Sequence, residues 1–205
     1  MTEGGTDRYG DDLSGLPPLV AAAVRLARRT RFGQSCLPEQ GRLLAALAAG
    51  RAGGRIGETG TGCGVGLAWL ASAVPPGTRL VSVERDAERA AAARDLFVTV
   101  PDVTVLTGDW TMLASYGPFD LLVLDGGGKR PADGPMADPA RLLVPGGTLV
   151  LDDFAPATAW PPMHDGRPDE TRLHWLAHPQ LLATEVRVTA GMATIVATRT
   201  HATDP

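Results

Sequence analysis

The chain has 205 residues, 44% of them hydrophobic and 20% charged, with a formal net charge of −4. That is room for one core that needs neither disulfides nor structural metal, with N-terminal additions. A weakly acidic chain has no general attraction for nucleic acid or an anionic membrane, so neither is expected as a partner. Arg25, Arg28, Arg29 and Arg31 cluster, and the simplest reading is a solvated helix face. Cys36 and Cys63 make no disulfide framework, so a reducing cytoplasm is the default compartment. Residues 1–16 lack the cationic and apolar regions of a signal peptide, and no apolar run reaches the length of a membrane span. Asparagine is absent, and Lys129 is the only lysine among many arginines.

Residues 1–15 are polar and glycine-rich and are expected to be flexible. Pro17 and Pro18 can open a helix that runs to about residue 30, with Leu19, Val20, Val24, Leu26 and Ala27 as its apolar positions. A second helix is expected from Pro38 to a stop at Gly50, so residues 16–50 read as N-terminal helices. Beyond them, in residues 51–200, short apolar runs alternate with helical segments. A strand over 55–58 leads into a glycine-rich turn, and a helix over 65–74 ends at Pro75 and Pro76. A strand over 78–83, a helix over 87–98 and a strand over 103–106 follow. The run 119–124 is almost continuously apolar, the mark of a strand covered on both faces. Next come a helix over 135–143 and a strand over 147–151, then a proline-rich stretch through Trp160, Pro161, Pro162, Met163 and His164. That stretch reads equally well as a lid or as ordinary packing. A helix over 169–178 carries His174 and His178 on one face, read as two surface histidines. Alternation over 184–189 and 192–198 predicts a closing antiparallel hairpin.

Repeated strand–helix–strand units imply an α/β fold, a mostly parallel sheet with helices on both faces. Such sheets bind ligands at the C-terminal ends of their strands. The loops after Glu58, Glu84, Leu106, Leu124 and Leu151 are therefore expected to share one rim.

The first loop reads Glu58-Thr59-Gly60-Thr61-Gly62-Cys63-Gly64. Its glycines allow a tight turn and close approach of a ligand to the backbone. The dinucleotide pattern Gly-x-Gly-x-x-Gly fails, because Val65 and Leu67 stand where its third glycine would be. An acidic residue followed by Gly-x-Gly-x-Gly instead resembles the first motif of class I S-adenosylmethionine-dependent methyltransferases. Further matches are Glu84 at the next strand end, Gly108-Asp109-Trp110 after the following strand, the run 119–125, and the turn and strand over 142–151. The resemblance covers about residues 38–151, and it implies a Rossmann-like seven-stranded sheet.

It also implies roles for particular residues. The cofactor has an ammonium and a sulfonium, and Glu58 offers them a carboxylate. Glu84 would accept hydrogen bonds from the ribose hydroxyls, with Arg85 beside it. Asp109 would meet the adenine amino group and Trp110 would stack on the ring, unless they are simply a helix cap and core filler. Gly60, Thr61, Gly62 and Gly64 would form the cofactor loop.

Within this class the chain is similar to the small O-methyltransferases of the catechol and caffeoyl-CoA type, which also carry N-terminal helices. Ser35-Cys36-Leu37-Pro38-Glu39-Gln40-Gly41 resembles their segment bordering the cofactor, which adds Ser35 to the cofactor residues. Their active site holds a divalent metal, usually Mg²⁺, on an Asp after the fourth strand and an Asp-Asn pair after the fifth. Asp125, Asp152 and Asp153 match these positions, with Asp153 replacing the Asn. Asp125 also borders the cofactor. The family's general-base lysine lies three residues after its first metal Asp, whereas Lys129 lies four after Asp125, across Gly126-Gly127-Gly128, a loop expected to be longer and more flexible. The expected mechanism has the metal acidify a substrate hydroxyl, Lys129 take its proton as a desolvated base, and the oxygen attack the methyl group in line. The alternative is that Asp152 and Asp153 merely cap the strand exit and that Asp125 contacts the cofactor through water. The expected partner is a small-molecule acceptor, and a homodimer stays open because such N-terminal helices often build dimers. Rival readings are a metal-independent small-molecule methyltransferase, an aminopropyltransferase of the polyamine-synthase type, a nicotinamide oxidoreductase, and a cofactor binder without catalysis.

Overall fold

In a computed structural model, which describes residues 2–131 and 134–201, seven strands form one sheet in the order β3-β2-β1-β4-β5-β9-β8. Strands β1 (Arg55–Thr59), β2 (Arg79–Glu84), β3 (Val103–Thr107), β4 (Phe119–Leu124) and β5 (Leu143–Phe154) run parallel. The antiparallel pair β8 (Leu181–Arg187) and β9 (Ala193–Arg199) closes the sheet against β5. The expected architecture is the observed one.

Strand β4 shows why the sheet is buried on both faces. Leu121 and Val123 point into one core with Val20, Val24, Leu44, Leu67 and Leu70. Leu122 and Leu124 point into the other with Leu113, Leu142, Trp175 and Ile195. Alternation along a strand sends neighbours to opposite faces, so a wholly apolar run serves two cores. Helices α1 (Pro18–Arg29), α2 (Pro38–Ala49), α3 (Val65–Ala73) and α4 (Ala87–Phe97) cover the first face. Pro18 and Pro38 occupy first-turn positions in α1 and α2, where a missing N–H costs nothing.

Three segments differ from the sequence reading. Residues expected to be flexible at the start form a 3₁₀ helix, Gly5–Tyr9. The Tyr9 ring is buried, its hydroxyl takes the indole N–H of Trp69 at 3.0 Å, and it donates to the Cys36 carbonyl. Tyr9 anchors this polar segment together with buried Thr6, whose hydroxyl donates to the Phe32 carbonyl at 2.7 Å. The expected helix over 135–143 shrinks to α5 (Pro139–Leu142). Asp138, preceding a proline, is held extended and caps the helix through Ala140 N–H, so no helix can enter from upstream. Strand β5 consequently begins earlier than expected, at Leu143, and shifts register against β4 between Phe119 and Leu121. A two-residue hairpin, β6 (Met163–His164) with β7 (Arg167–Pro168), and helix α6 (Glu170–Leu176) lead to β8. Among the described residues, no helix is long and apolar enough to cross a membrane.

Candidate active site

A cavity of about 640 Å³ opens at the C-terminal ends of the parallel strands. It runs from Glu84, Asp109 and Trp110 at one end to Asp125, Lys129 and Asp153 at the other. The rim expected from topology is therefore the rim observed.

The loop after β1 is shaped by its glycines. Gly60 has φ +82°, and a Cβ there would stand 2.9 Å from the backbone of Gly126, so only glycine lets the two strand-end loops touch. Gly60 and Thr61 donate their N–H groups to the Val83 carbonyl, and Gly62 donates to Glu84 Oε2 at 2.8 Å. Glu84 is buried, and its other oxygen takes Asp86 N–H and the Arg89 guanidinium. A carboxylate has about four acceptor positions, and three are thus engaged. Asp109 caps the 3₁₀ helix Trp110–Ser115, and those bonds to Thr111 lower its pKa. Cap and cavity-lining residue are one and the same. The Trp110 indole lies against Gly127 and Gly128, and its buried Nε1 has no partner among the described residues. Arg85 lines the same end. Ser35, Gly60, Thr61, Gly62 and Asp125 line an adjoining crevice, and Ser35 is fixed there by Thr6 at 2.8 Å.

Two members of the loop turn elsewhere. Glu58, expected to face the cofactor's cationic groups, is not among the residues lining the cavity. Its carboxylate lies under the first turn of α3 and takes the Ser82 hydroxyl at 2.5 Å. Burial raises its pKa to about 8 against the opposing pull of that bond, so it is mostly neutral at pH 7. Gly64 opens α3 and sits under the Phe97 ring, a packing role.

At the far end, Asp152 and Asp153 are consecutive in β5 and would ordinarily point to opposite faces. They share one cluster because the pairing of β5 with β9 skips. Leu151 faces Ile195 and Phe154 faces Ala193, leaving two residues opposite Thr194. Such a bulge re-aims side chains, and Asp153 adopts φ +65°, which aspartate tolerates better than most residues. Oxygens of Asp125, Asp152 and Asp153 lie within 4.8 Å of one another.

Lys129 closes the cluster. It is 3% exposed, with Nζ 2.9 Å from Asp152 Oδ1, 3.2 Å from the Asp152 carbonyl and 3.5 Å from Asp153 Oδ2. Burial opposes its charge, but the carboxylates of Asp152, Asp153 and Asp125 outweigh it and hold the pKa above the ordinary lysine value. The surrounding carboxylates favour the charged form of Lys129, which the sequence reading expected to act as a deprotonated base. Asp125 is raised well above the usual carboxylate range by burial and then by Asp152. Asp152, although burial works against it, is held below that range by Lys129. The three aspartates have the hard oxygen chemistry a divalent cation wants. Three carboxylates outnumber the single ammonium, so the trio keeps oxygen donors and negative charge for a cation beside Lys129.

The loop carrying Lys129, expected to be flexible, is pinned. Thr59 accepts Gly126 N–H and donates to the Gly127 carbonyl; Ala137 N–H bonds the Gly128 carbonyl; Trp175 Nε1 bonds the Lys129 carbonyl at 2.9 Å. The glycines serve close packing against Gly60 and Trp110. Sequence reasoning missed Gln34, Arg89 and Arg130, which line the cavity, and Thr59 and Trp175, whose parts depend on distant partners. It also missed Thr2, whose hydroxyl donates to Asp153 Oδ1 at 2.7 Å across the whole chain. Trp160, weighed as a lid, is 73% exposed and away from the cavity lining.

A methyltransferase-domain model matches residues 58–154. A catechol O-methyltransferase of Niastella koreensis is 32% identical over 158 residues, covering 72% of this chain and 71% of that protein. The chain belongs to the S-adenosylmethionine-dependent O-methyltransferases. The nicotinamide and aminopropyltransferase readings fall with that assignment. Solved methyltransferases share the fold. An O-methyltransferase of Bacillus cereus in complex with SAH superposes with TM-score 0.70 at 22% identity, over 96% of this chain and 97% of that one. The O-methyltransferase of Streptomyces achromogenes involved in tomaymycin synthesis, in complex with SAM, gives 0.70 at 22% over 97% of each.

Proposed function

We propose that this methyltransferase transfers a methyl group to a hydroxyl oxygen of a small acceptor, bound at the Asp125–Lys129–Asp153 end of the cavity. The observation that carries the reading is the continuity of that cavity with the Glu84–Trp110 end. Glu84 would receive the ribose hydroxyls, and Asp109 and Trp110 would receive the adenine. Ser35, Gly60, Thr61 and Gly62 would border the amino-acid portion, with Arg85 at the entrance. S-adenosylmethionine supplies an electrophilic methyl group on a sulfonium.

The chain's own groups can do the rest. Asp153 lines the cavity and would accept the acceptor's hydroxyl proton as the oxygen–methyl bond forms. The Lys129 ammonium would stabilise charge developing on that oxygen. Pinning of both loops holds the two ends in register, the main source of rate in such a transfer. Mg²⁺, if the chain used it, would take Asp125, Asp152 and Asp153, the positions Lys129 now serves. The relative from Niastella is named for catechol, which makes a vicinal diphenol the first acceptor to test. Incubation with S-adenosylmethionine and catechol should give the mono-methyl ether and S-adenosylhomocysteine by mass spectrometry. Failure of calorimetry to detect S-adenosylhomocysteine binding would overturn the reading.

A further inference from the structure

Residues 2–9 meet the rest of the molecule at three points, at 9, 6 and 2. Tyr9 fixes one end, against the Cys36 carbonyl and the Trp69 indole. Thr6 holds the middle: its amide donates to the Gly33 carbonyl at 3.3 Å, and its hydroxyl lies 2.8 Å from Ser35 Oγ. Thr2 ends the run, with its hydroxyl donating to Asp153 Oδ1 at 2.7 Å and lying 3.6 Å from the Met192 sulfur. Ser35 lines the crevice beside Gly60 and Gly62, and Asp153 lines the far end of the main cavity. One short run therefore reaches both. Tyr9 is its only large apolar side chain, so apolar burial accounts for that end alone, and polar contacts fix the rest. Gly5 shows how closely it lies: a Cβ there would stand 1.8 Å from the Ser35 carbonyl oxygen. Its φ is not left-handed, so contact and not conformation excludes a side chain.

We propose that residues 2–9 are a strap belonging to the active site, and that Thr2 is a positioning residue that fixes Asp153 for the acceptor. This rests on the methyltransferase reading above. Asp153 sits on the bulge of β5 with φ +65°, where the ladder to β9 is interrupted. A carboxylate there takes its direction from contacts outside the sheet. Thr2 supplies one at Oδ1, while Oδ2 stands 3.5 Å from the Lys129 ammonium. The role holds with or without a cation on the trio, since a carboxylate has about four acceptor positions and Thr2 takes one. Because Thr6 ties the same strap to Ser35, the acceptor end and the cofactor crevice share one support.

The test combines hydrogen exchange with methylation of catechol, both on the full chain. In the native protein the Thr6 amide should exchange at least about tenfold more slowly than an unprotected amide, and Gly5→Ala, which lifts the strap off Ser35, should abolish that protection. Thr2→Val and Asp153→Ala should each speed exchange of the Gly5 amide by the same factor, and the double variant by no more, because both remove one contact. In turnover, Thr2→Val should lower kcat for catechol about tenfold, since misplacing a group at the reacting atoms is costly. Its S-adenosylhomocysteine affinity should stay within about threefold of native, and Thr2→Ser, which keeps the hydroxyl, should restore kcat to within about threefold. An unchanged kcat in Thr2→Val, a Thr2→Ser as slow as Thr2→Val, additive exchange effects, or a freely exchanging Thr6 amide in the native chain would each overturn the proposal. Failure of the broader reading looks different: the native chain would give no heat with S-adenosylhomocysteine, and the exchange cycle would still decide whether Asp153 holds Thr2.

Discussion

The two ends of the cavity are built by different means. At the Glu84 end, acidic side chains are engaged largely by main-chain N–H groups: Gly62 and Asp86 for Glu84, Thr111 for Asp109. At the Asp125 end, side chains answer side chains, with Lys129 between Asp152 and Asp153 and Thr2 on the outer oxygen. The first end depends on loop shape, the second on charge balance. A mutation at the first should therefore act on cofactor affinity, and at the second on turnover.

The largest expected effect is at the second end. Lys129→Met should lower kcat by roughly 10²–10³-fold, the usual loss when a group stabilising transition-state charge is removed. S-adenosylhomocysteine affinity, read by calorimetry, should stay within about threefold, since Lys129 is not among the groups at the Glu84 end. A fall in affinity as large as the fall in kcat would erase the distinction between the ends. Next comes Glu84→Ala, which removes a charged acceptor from Gly62 N–H and from the ribose position. An affinity loss of about 10–100-fold is expected, from the ~1.5–3 kcal/mol of a charge-assisted bond. Gly127→Ala sharpens the comparison from the middle. Its Cβ would collide with the Trp110 indole, and moving that ring should weaken cofactor binding about tenfold, in line with ~1–3 kcal/mol for overpacking. Steady-state KM for S-adenosylmethionine would show it.

The smallest effect on activity belongs to Glu58, which lies outside both ends. Its folded pKa of about 8 exceeds the ordinary value of 4.5, so the folded state binds its proton more tightly than the unfolded chain does. Its contribution to stability is fully present below about pH 4.5 and is lost as pH rises to about 8. Urea unfolding at pH 5.5 and pH 8 should show native stability falling across that window, and Glu58→Gln should flatten the fall. An equal slope in both proteins would show that Glu58 is not the titrating group.

Much of this protein follows from its sequence alone. Period-two alternation, proline and glycine stops, and the acidic strand ends of β1, β2 and β4 are local signals, and local backbone geometry converts them directly into a parallel sheet with one rim. The Glu84 end was legible for that reason, because its contacts span at most about one strand–helix unit. The Asp125 end was legible only as a set of residue types. Whether Asp152 and Asp153 point together depends on a bulge against β9, some forty residues away. Whether Glu58 faces ligand or core depends on Ser82 and the first turn of α3. Whether Lys129 gives up or keeps its proton depends on how many carboxylates surround it in space, and electrostatic energy is a sum over distances that only the folded chain defines.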